Sequence, residues 1–194
     1  MEGLEDGVSS ATTELSSLES TRESVIASSR RIIRLTKTAI HAVHIGSDCS
    51  DVMVELDREV SGLSLLCSGS QLSCSGPAQD AMSEYAEARI FEAVVSGRRV
   101  PSCIDLGIPA GSWVLGLADS EGELRRMVMT MLVDGDLEGA KGIYASMEEI
   151  HGHLMMLDVP DAIVPLRRKQ DIARGVMDRT RSDITLASIM ECKN

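Results

Sequence analysis

The 194-residue chain is almost without aromatic side chains: Tyr85, Phe91, Trp113 and Tyr144 make up 2% of it. RNA-recognition sheets and OB-folds bind single strands by stacking bases on surface aromatics, and four scattered residues cannot build that platform. Long apolar runs are missing too. No stretch approaches the ~20 consecutive apolar residues that a helical membrane span needs, so no membrane role is expected. The start, Met1-Glu2-Gly3-Leu4-Glu5-Asp6, has neither the basic beginning nor the apolar centre of a secretory signal, which points to the cytoplasm. Cys49, Cys67, Cys74, Cys103 and Cys192 are odd in number and form no C-x-x-C pair, which argues against a disulfide framework, a zinc site or a redox motif. There is no Gly-x-Ser-x-Gly elbow and no convincing strand, so a hydrolase triad on a sheet has no support.

What remains is an aliphatic chain, 43% apolar and 25% charged, of a length that folds as one domain burying roughly 70% of its unfolded surface. Residues 1–20 form a polar segment rich in Ser, Thr and Glu that frays unless Leu15 and Leu18 find a partner, and residues 21–190 form a single all-α domain. Leu15, Leu18, Arg22, Val25, Ser29, Ile32, Ile33, Thr36, Ile40 and Val43 recur in steps of three and four, the period of a helix that ends near Gly46. A second helix is capped from Ser47-Asp48-Cys49-Ser50, shows Val52, Met53, Leu56, Val60, Leu63 and Leu66 on one face, and stops around Ser68-Gly69-Ser70. Ser75-Gly76-Pro77 starts a third, which runs to Gly97. The segment from Arg98 to Gly111 connects, with room for one short turn. Further helices span Trp113 to Val133, Asp136 to about Leu157, and about Leu166 to Ala187. The expected architecture is an all-α bundle of six or seven helices.

The 30 acidic and 19 basic side chains give a formal charge of −11, which argues against phosphate binding until the distribution is considered. Arg22, Arg30, Arg31, Arg34 and Lys37 meet one acid, Glu23, over residues 22–41. Arg167, Arg168, Lys169, Arg174, Arg179 and Arg181 meet Asp171 and Asp178 over residues 165–181. Because screening acts over about 10 Å at 0.1 M salt, such a stripe can hold phosphate while a distant acidic surface does not interfere. A solvated basic face is the plain alternative.

Glu84 and Glu87 are three apart on the third helix, and Asp119 and Glu123 four apart on the next long one. Each pair shares a helix face. Two such helices packed together would gather four oxygen donors, a set suited to a hard cation such as Mg²⁺ and to phosphodiester cleavage. The ordinary alternative is a solvated acidic face. Asp119 and Glu123 lie among Gly116, Leu117, Ala118, Ser120, Gly122 and Leu124, where a charge needs a partner. A di-iron bundle would need two Glu-x-x-His motifs, and only Glu148-Glu149-Ile150-His151 fits. His41 and His44 read as interface, phosphate-contacting or plain core and surface residues rather than as ligands, and Met127, Met129, Met131, Met155 and Met156 as adaptable core filling.

Three stretches resemble the translin and translin-associated factor X (TRAX) family. Residues 113–126, Trp-Val-Leu-Gly-Leu-Ala-Asp-Ser-Glu-Gly-Glu-Leu-Arg-Arg, look like its YLLGLADLTGELRR segment. Ser83-Glu84-Tyr85-Ala86-Glu87-Ala88 is similar to its QEYVEA segment, and Leu166 to Arg174, continuing through Arg179 to Asp183, forms the third, with a looser likeness over Arg30 to His44. The resemblance implies about seven helices and a hollow, barrel-like octamer that encloses RNA or single-stranded DNA. It also implies a split in function. TRAX-type members are metal-dependent endoribonucleases whose acidic set falls here on Glu84, Glu87, Asp119 and Glu123, with Mg²⁺, or Mn²⁺ in its place, as cofactor. Translin-type members bind nucleic acid without that full set. All four acids are present, so the chain is expected to be a catalytic homo-oligomer acting on single-stranded RNA, with Arg30, Arg31, Arg34, Lys37, Arg167, Arg168 and Lys169 on the phosphates. The alternatives are a non-catalytic RNA- or DNA-binding oligomer and a helical scaffold for protein partners. Ser120-Glu121 replaces the family's Leu-Thr and adds a fifth acid, for which two placements are open: outward, or beside the metal.

Overall fold

The computed structural model describes residues 3–68 and 76–192, and these form seven helices and, among the described residues, no strand. They are α1 (Leu4–His44), α2 (Ser50–Ser68), α3 (Pro77–Val95), α4 (Cys103–Leu106), α5 (Ala110–Val133), α6 (Leu137–Met155) and α7 (Arg167–Glu191). Cys74, the cap residue Ser75 and the Gly69-Ser70 stop lie outside the described residues. Cys49, Cys103 and Cys192 are free thiols. Among the described residues no helix is long and apolar enough to cross a membrane.

Local signals explain the boundaries. Asp48 Oδ1 accepts the Ser50 backbone N–H at 2.9 Å ahead of α2, and Asp136 Oδ1 accepts that of Gly139 at 2.9 Å to open α6. Ser102 and Asp105 form a reciprocal capping box on α4, which Gly107 closes in the left-handed region at φ 63°. α1 starts at Leu4, well ahead of the Leu15 where the apolar period begins, with Glu5 and Asp6 in the first turn facing the positive end of the helix dipole.

α3 is the centre. It buries residues all round its circumference, from Ala78 and Met82 to Tyr85, Ile90 and Phe91, as a helix covered on every side must. α1 and α5 are its main neighbours, α2 lies on α1, and α6 and α7 close over α5. The core is aliphatic around Phe91, with Ile32, Leu56, Leu63, Met82, Ile90, Leu124, Met147 and Leu154 wholly buried. On α2 the buried line is Met53, Leu56, Val60, Leu63, Cys67. Leu66, expected on that face, is 36% exposed, because alternating steps of three and four carry the stripe to Cys67 instead.

Candidate functional site

The four acids come together where α3 crosses α5, and a glycine sets the distance. A Cβ added to Gly116 would lie 2.6 Å from the Ala86 Cβ and 2.8 Å from the Glu87 backbone nitrogen, and closer still to the Ser83 carbonyl oxygen. No side chain fits there. Gly116, Asp119 and Glu123 are spaced three and four apart on one face of α5, and Ser83 to Glu87 is the α3 turn they meet, so this contact places both acidic pairs at the same crossing.

The electrostatics follows from this arrangement. Burial, followed by the charges of Asp119, Glu84 and Glu123, raises the Glu87 carboxyl to about 8 against the pull of Lys169. Glu84 is also raised, chiefly by burial, with Asp119 and Asp80 adding to the shift while Lys37 and Lys169 oppose it. Asp119 Oδ1 and Oδ2 each accept a hydrogen bond from Lys169 Nζ at 2.5 Å. Glu123 Oε2 lies 2.5 Å from His44 Nε2, and the Arg126 guanidinium is 3.6 Å away. The His44 ring packs tilted against Phe91, centroids 4.7 Å apart, with its side chain 6% exposed and Nδ1 unpaired.

Among the described residues no three His, Cys, Asp or Glu side chains are drawn tightly enough to hold a metal ion. Lys169 and His44 engage two of the four acids instead. In donor chemistry the set suits Mg²⁺: the four side chains offer oxygen without thiolate, and this ion keeps several of its own waters.

Glu121 takes neither of the two placements open to it in the sequence. It is 0% exposed and faces α6, where His151 Nδ1 lies 3.2 and 3.3 Å from its two carboxylate oxygens. Burial raises its carboxyl to about 7 and lowers His151, which Arg174 depresses further. The Glu-x-x-His motif is thereby divided: His151 serves Glu121, while Glu148 accepts from Arg181 and Tyr144 at 3.0 Å each. Position 121 lies four after Leu117 and three before Leu124, within the apolar stripe, and that spacing is the signal that could have revealed its burial. Truncating His151 to Ala leaves a buried carboxylate without its partner. The expected result in urea denaturation at pH 8.5 is a loss of about 1–3 kcal/mol, recovered by adding Glu121→Gln.

The basic residues divide. Arg30, Arg34, Lys37 and His41 are exposed at i, i+4, i+7 and i+11 along one face of α1, and Arg167 and Arg168 are exposed in the first turn of α7. Arg31 turns instead to α2, with Glu55 at 2.6 Å and Glu59 at 3.2 Å. Lys169 points into the acidic cluster.

No family model matches the chain. An uncharacterised protein of Methanocaldococcus jannaschii, MJ0175, is 30% identical over 174 residues, covering 88% of this chain and 78% of that one. Among solved structures, C3PO (translin/TRAX) complexes from Archaea and Neurospora share the fold. The AfC3PO complex with duplex RNA matches with a TM-score of 0.89 and 28% identity over 96% of this chain and 99% of the other. The AfC3PO crystal structure gives 0.76 and 31% over 94% and 97%. Apo-NeC3PO gives 0.83 over 93% and 96%, and at 21% identity this is a likeness of fold.

Proposed function

Since the chain belongs to the translin/TRAX family, we propose that it is a Mg²⁺-dependent endoribonuclease that cleaves single-stranded RNA inside a cage, an octamer by family likeness, built from its own copies. The convergence of Glu84, Glu87, Asp119 and Glu123 at the α3–α5 crossing is the observation that supports this reading most. RNA binding has separate support in AfC3PO, whose structure was solved with duplex RNA.

Glu84, Glu87, Asp119 and Glu123 would hold the cation, Mg²⁺ or Mn²⁺ in its place, which when bound would supply a coordinated water of lowered pKa and neutralisation of a phosphoryl oxygen. Glu84 and Glu87 approach from α3 and Asp119 and Glu123 from α5, all on helices, which keeps the donors in register. His44, buried and backed by Phe91, fixes the Glu123 carboxylate from behind. Arg30, Arg34, Lys37, Arg167 and Arg168 hold the RNA backbone. Such contacts give affinity without reading sequence, and they admit single-stranded DNA as a ligand. Binding therefore weakens steeply as salt rises.

The alternative, a binding cage in which the acids are structural, draws on one observation: in this structure Lys169 and His44 already satisfy Asp119 and Glu123. A labelled single-stranded RNA incubated with Mg²⁺, with EDTA and with the Glu123→Ala variant separates the two, provided binding is scored in the same samples. The expected result is cleavage that needs Mg²⁺ and falls about a hundredfold or more in the variant, the scale for losing a group that stabilises transition-state charge, with binding retained. Binding with no cleavage under any condition would leave the non-catalytic cage.

A further inference from the structure

Lys169 stands where a cation is unfavourable. It is the third residue of α7, after Arg167 and Arg168, in a first turn that holds no acid, so all three meet the positive end of the helix dipole. Only Lys169 finds a strong anionic partner there. Its Nζ lies 2.5 Å from both oxygens of Asp119, and its charge also opposes the upward shifts of Glu84 and Glu87 on the facing helix. One ammonium thus acts on three of the four acids that would hold a divalent cation. The pair sits at the mouth of the cluster, with Lys169 30% and Asp119 39% exposed, whereas His44 at Glu123 is 6% exposed and held against Phe91. Lysine suits a contact that has to break, being a compact point charge on a flexible stem rather than a bidentate fork.

We propose that Lys169 is the exchangeable counter-ion of the carboxylate cluster: it holds Asp119 while no divalent cation is bound, and turns to the RNA phosphate when one takes its place. The inference rests on the metal-dependent reading above. Like charges a few ångströms apart repel, so ammonium and divalent cation do not share Asp119. Lys169 is then a positioning residue in the resting chain and a phosphate contact in the working one.

The two roles have opposite signatures. Calorimetric titration of the RNA-free full chain with Mg²⁺ and with Mn²⁺ is expected to show Lys169→Met binding about tenfold or more tightly than the parent, since a competitor is gone. Lys169→Arg keeps the charge and stays within about twofold, and so does Lys141→Met, a change of equal charge on α6 where Lys141 forms an exposed ion pair with Glu138. In RNA cleavage at saturating Mg²⁺, Lys169→Met is slower despite its tighter metal, and Lys169→Arg recovers part of the rate. Unchanged or weaker metal affinity in Lys169→Met overturns the inference. If the parent binds metal and Glu123→Ala does not, the metal site survives that result; if neither the parent nor Lys169→Met binds metal, both readings fall.

Discussion

Replacing Gly116 with Ala is expected to lower the stability of the chain by about 1–3 kcal/mol or more and to abolish cleavage, although Ala is the better helix former by about 1 kcal/mol. The added methyl meets the Ser83 carbonyl oxygen and the Glu87 nitrogen, which are backbone atoms that no rotamer change can move. α3 and α5 must separate, and the two acidic pairs separate with them. Gly122, six residues along the same helix, supplies the internal control. Nothing lies within 4 Å of the Cβ it lacks, so Gly122→Ala stabilises by up to about 1 kcal/mol. Urea midpoints of the two variants, with RNA cleavage measured alongside, should therefore move in opposite directions. Equal shifts would mean that the crossing is not as tight as described.

Metal-free protein is expected to lose thermal stability as the pH rises from about 5 to 9, and Mg²⁺ is expected to restore it. Unfolded, Glu87 titrates near the ordinary 4.5; folded, it is raised to about 8, by burial first and then by three neighbouring acids. The folded chain holds this proton more tightly, so the stabilisation is complete below about 4.5 and disappears as pH passes through 8. Glu121, raised to about 7 by burial, acts in the same direction at lower pH. Melting curves in EDTA at half-unit pH steps should fall steeply for the parent and less for Glu87→Gln, whose residual fall lies between about 4.5 and 7. A ligand that binds only the folded state raises the melting temperature, so millimolar Mg²⁺ at pH 8.5 should lift the parent more than Glu87→Gln. Parallel curves for parent and variant would show that the Glu87 carboxyl is not raised in the fold.

Much of this was legible in the sequence, through repeats that stay within one helix. The three-and-four spacing marks all the long helices, and the same spacing pairs Glu84 with Glu87 and Asp119 with Glu123 on their faces. Gly116 and Gly122 look alike inside their helix, and the crossing alone shows that only Gly116 meets a neighbour. Contacts that depend on how one helix is rotated against another were not legible. Arg31 and Arg30 are neighbours in the same basic run, yet a 100° turn sends Arg31 to Glu55 and Glu59 and leaves Arg30 exposed. His44 and Lys169 lie 79 and 50 residues from the acids they meet, and no local pattern encodes that distance. Leu66 gave way to Cys67 because a stripe at 3.6 residues per turn drifts away from any fixed count.

α1 carries a consequence of its own. Its first buried residue is Val25, and nearly everything before that point in the helix is exposed, Leu4, Val8 and Leu15 included. About 30 Å of helix, at 1.5 Å per residue, is thus held within one chain by its own backbone ladder. The hydroxyls of Thr12, Thr13, Thr21 and Ser24 return to carbonyls four residues back and add little. A helix of that length without a packed face is marginal in water, whereas the half from Val25 to His44 opens only with the core. α1 is therefore continuous in geometry and divided in cooperativity: within a single chain its amide hydrogens are expected to exchange in two regimes along one unbroken rod, with the border between them at Val25.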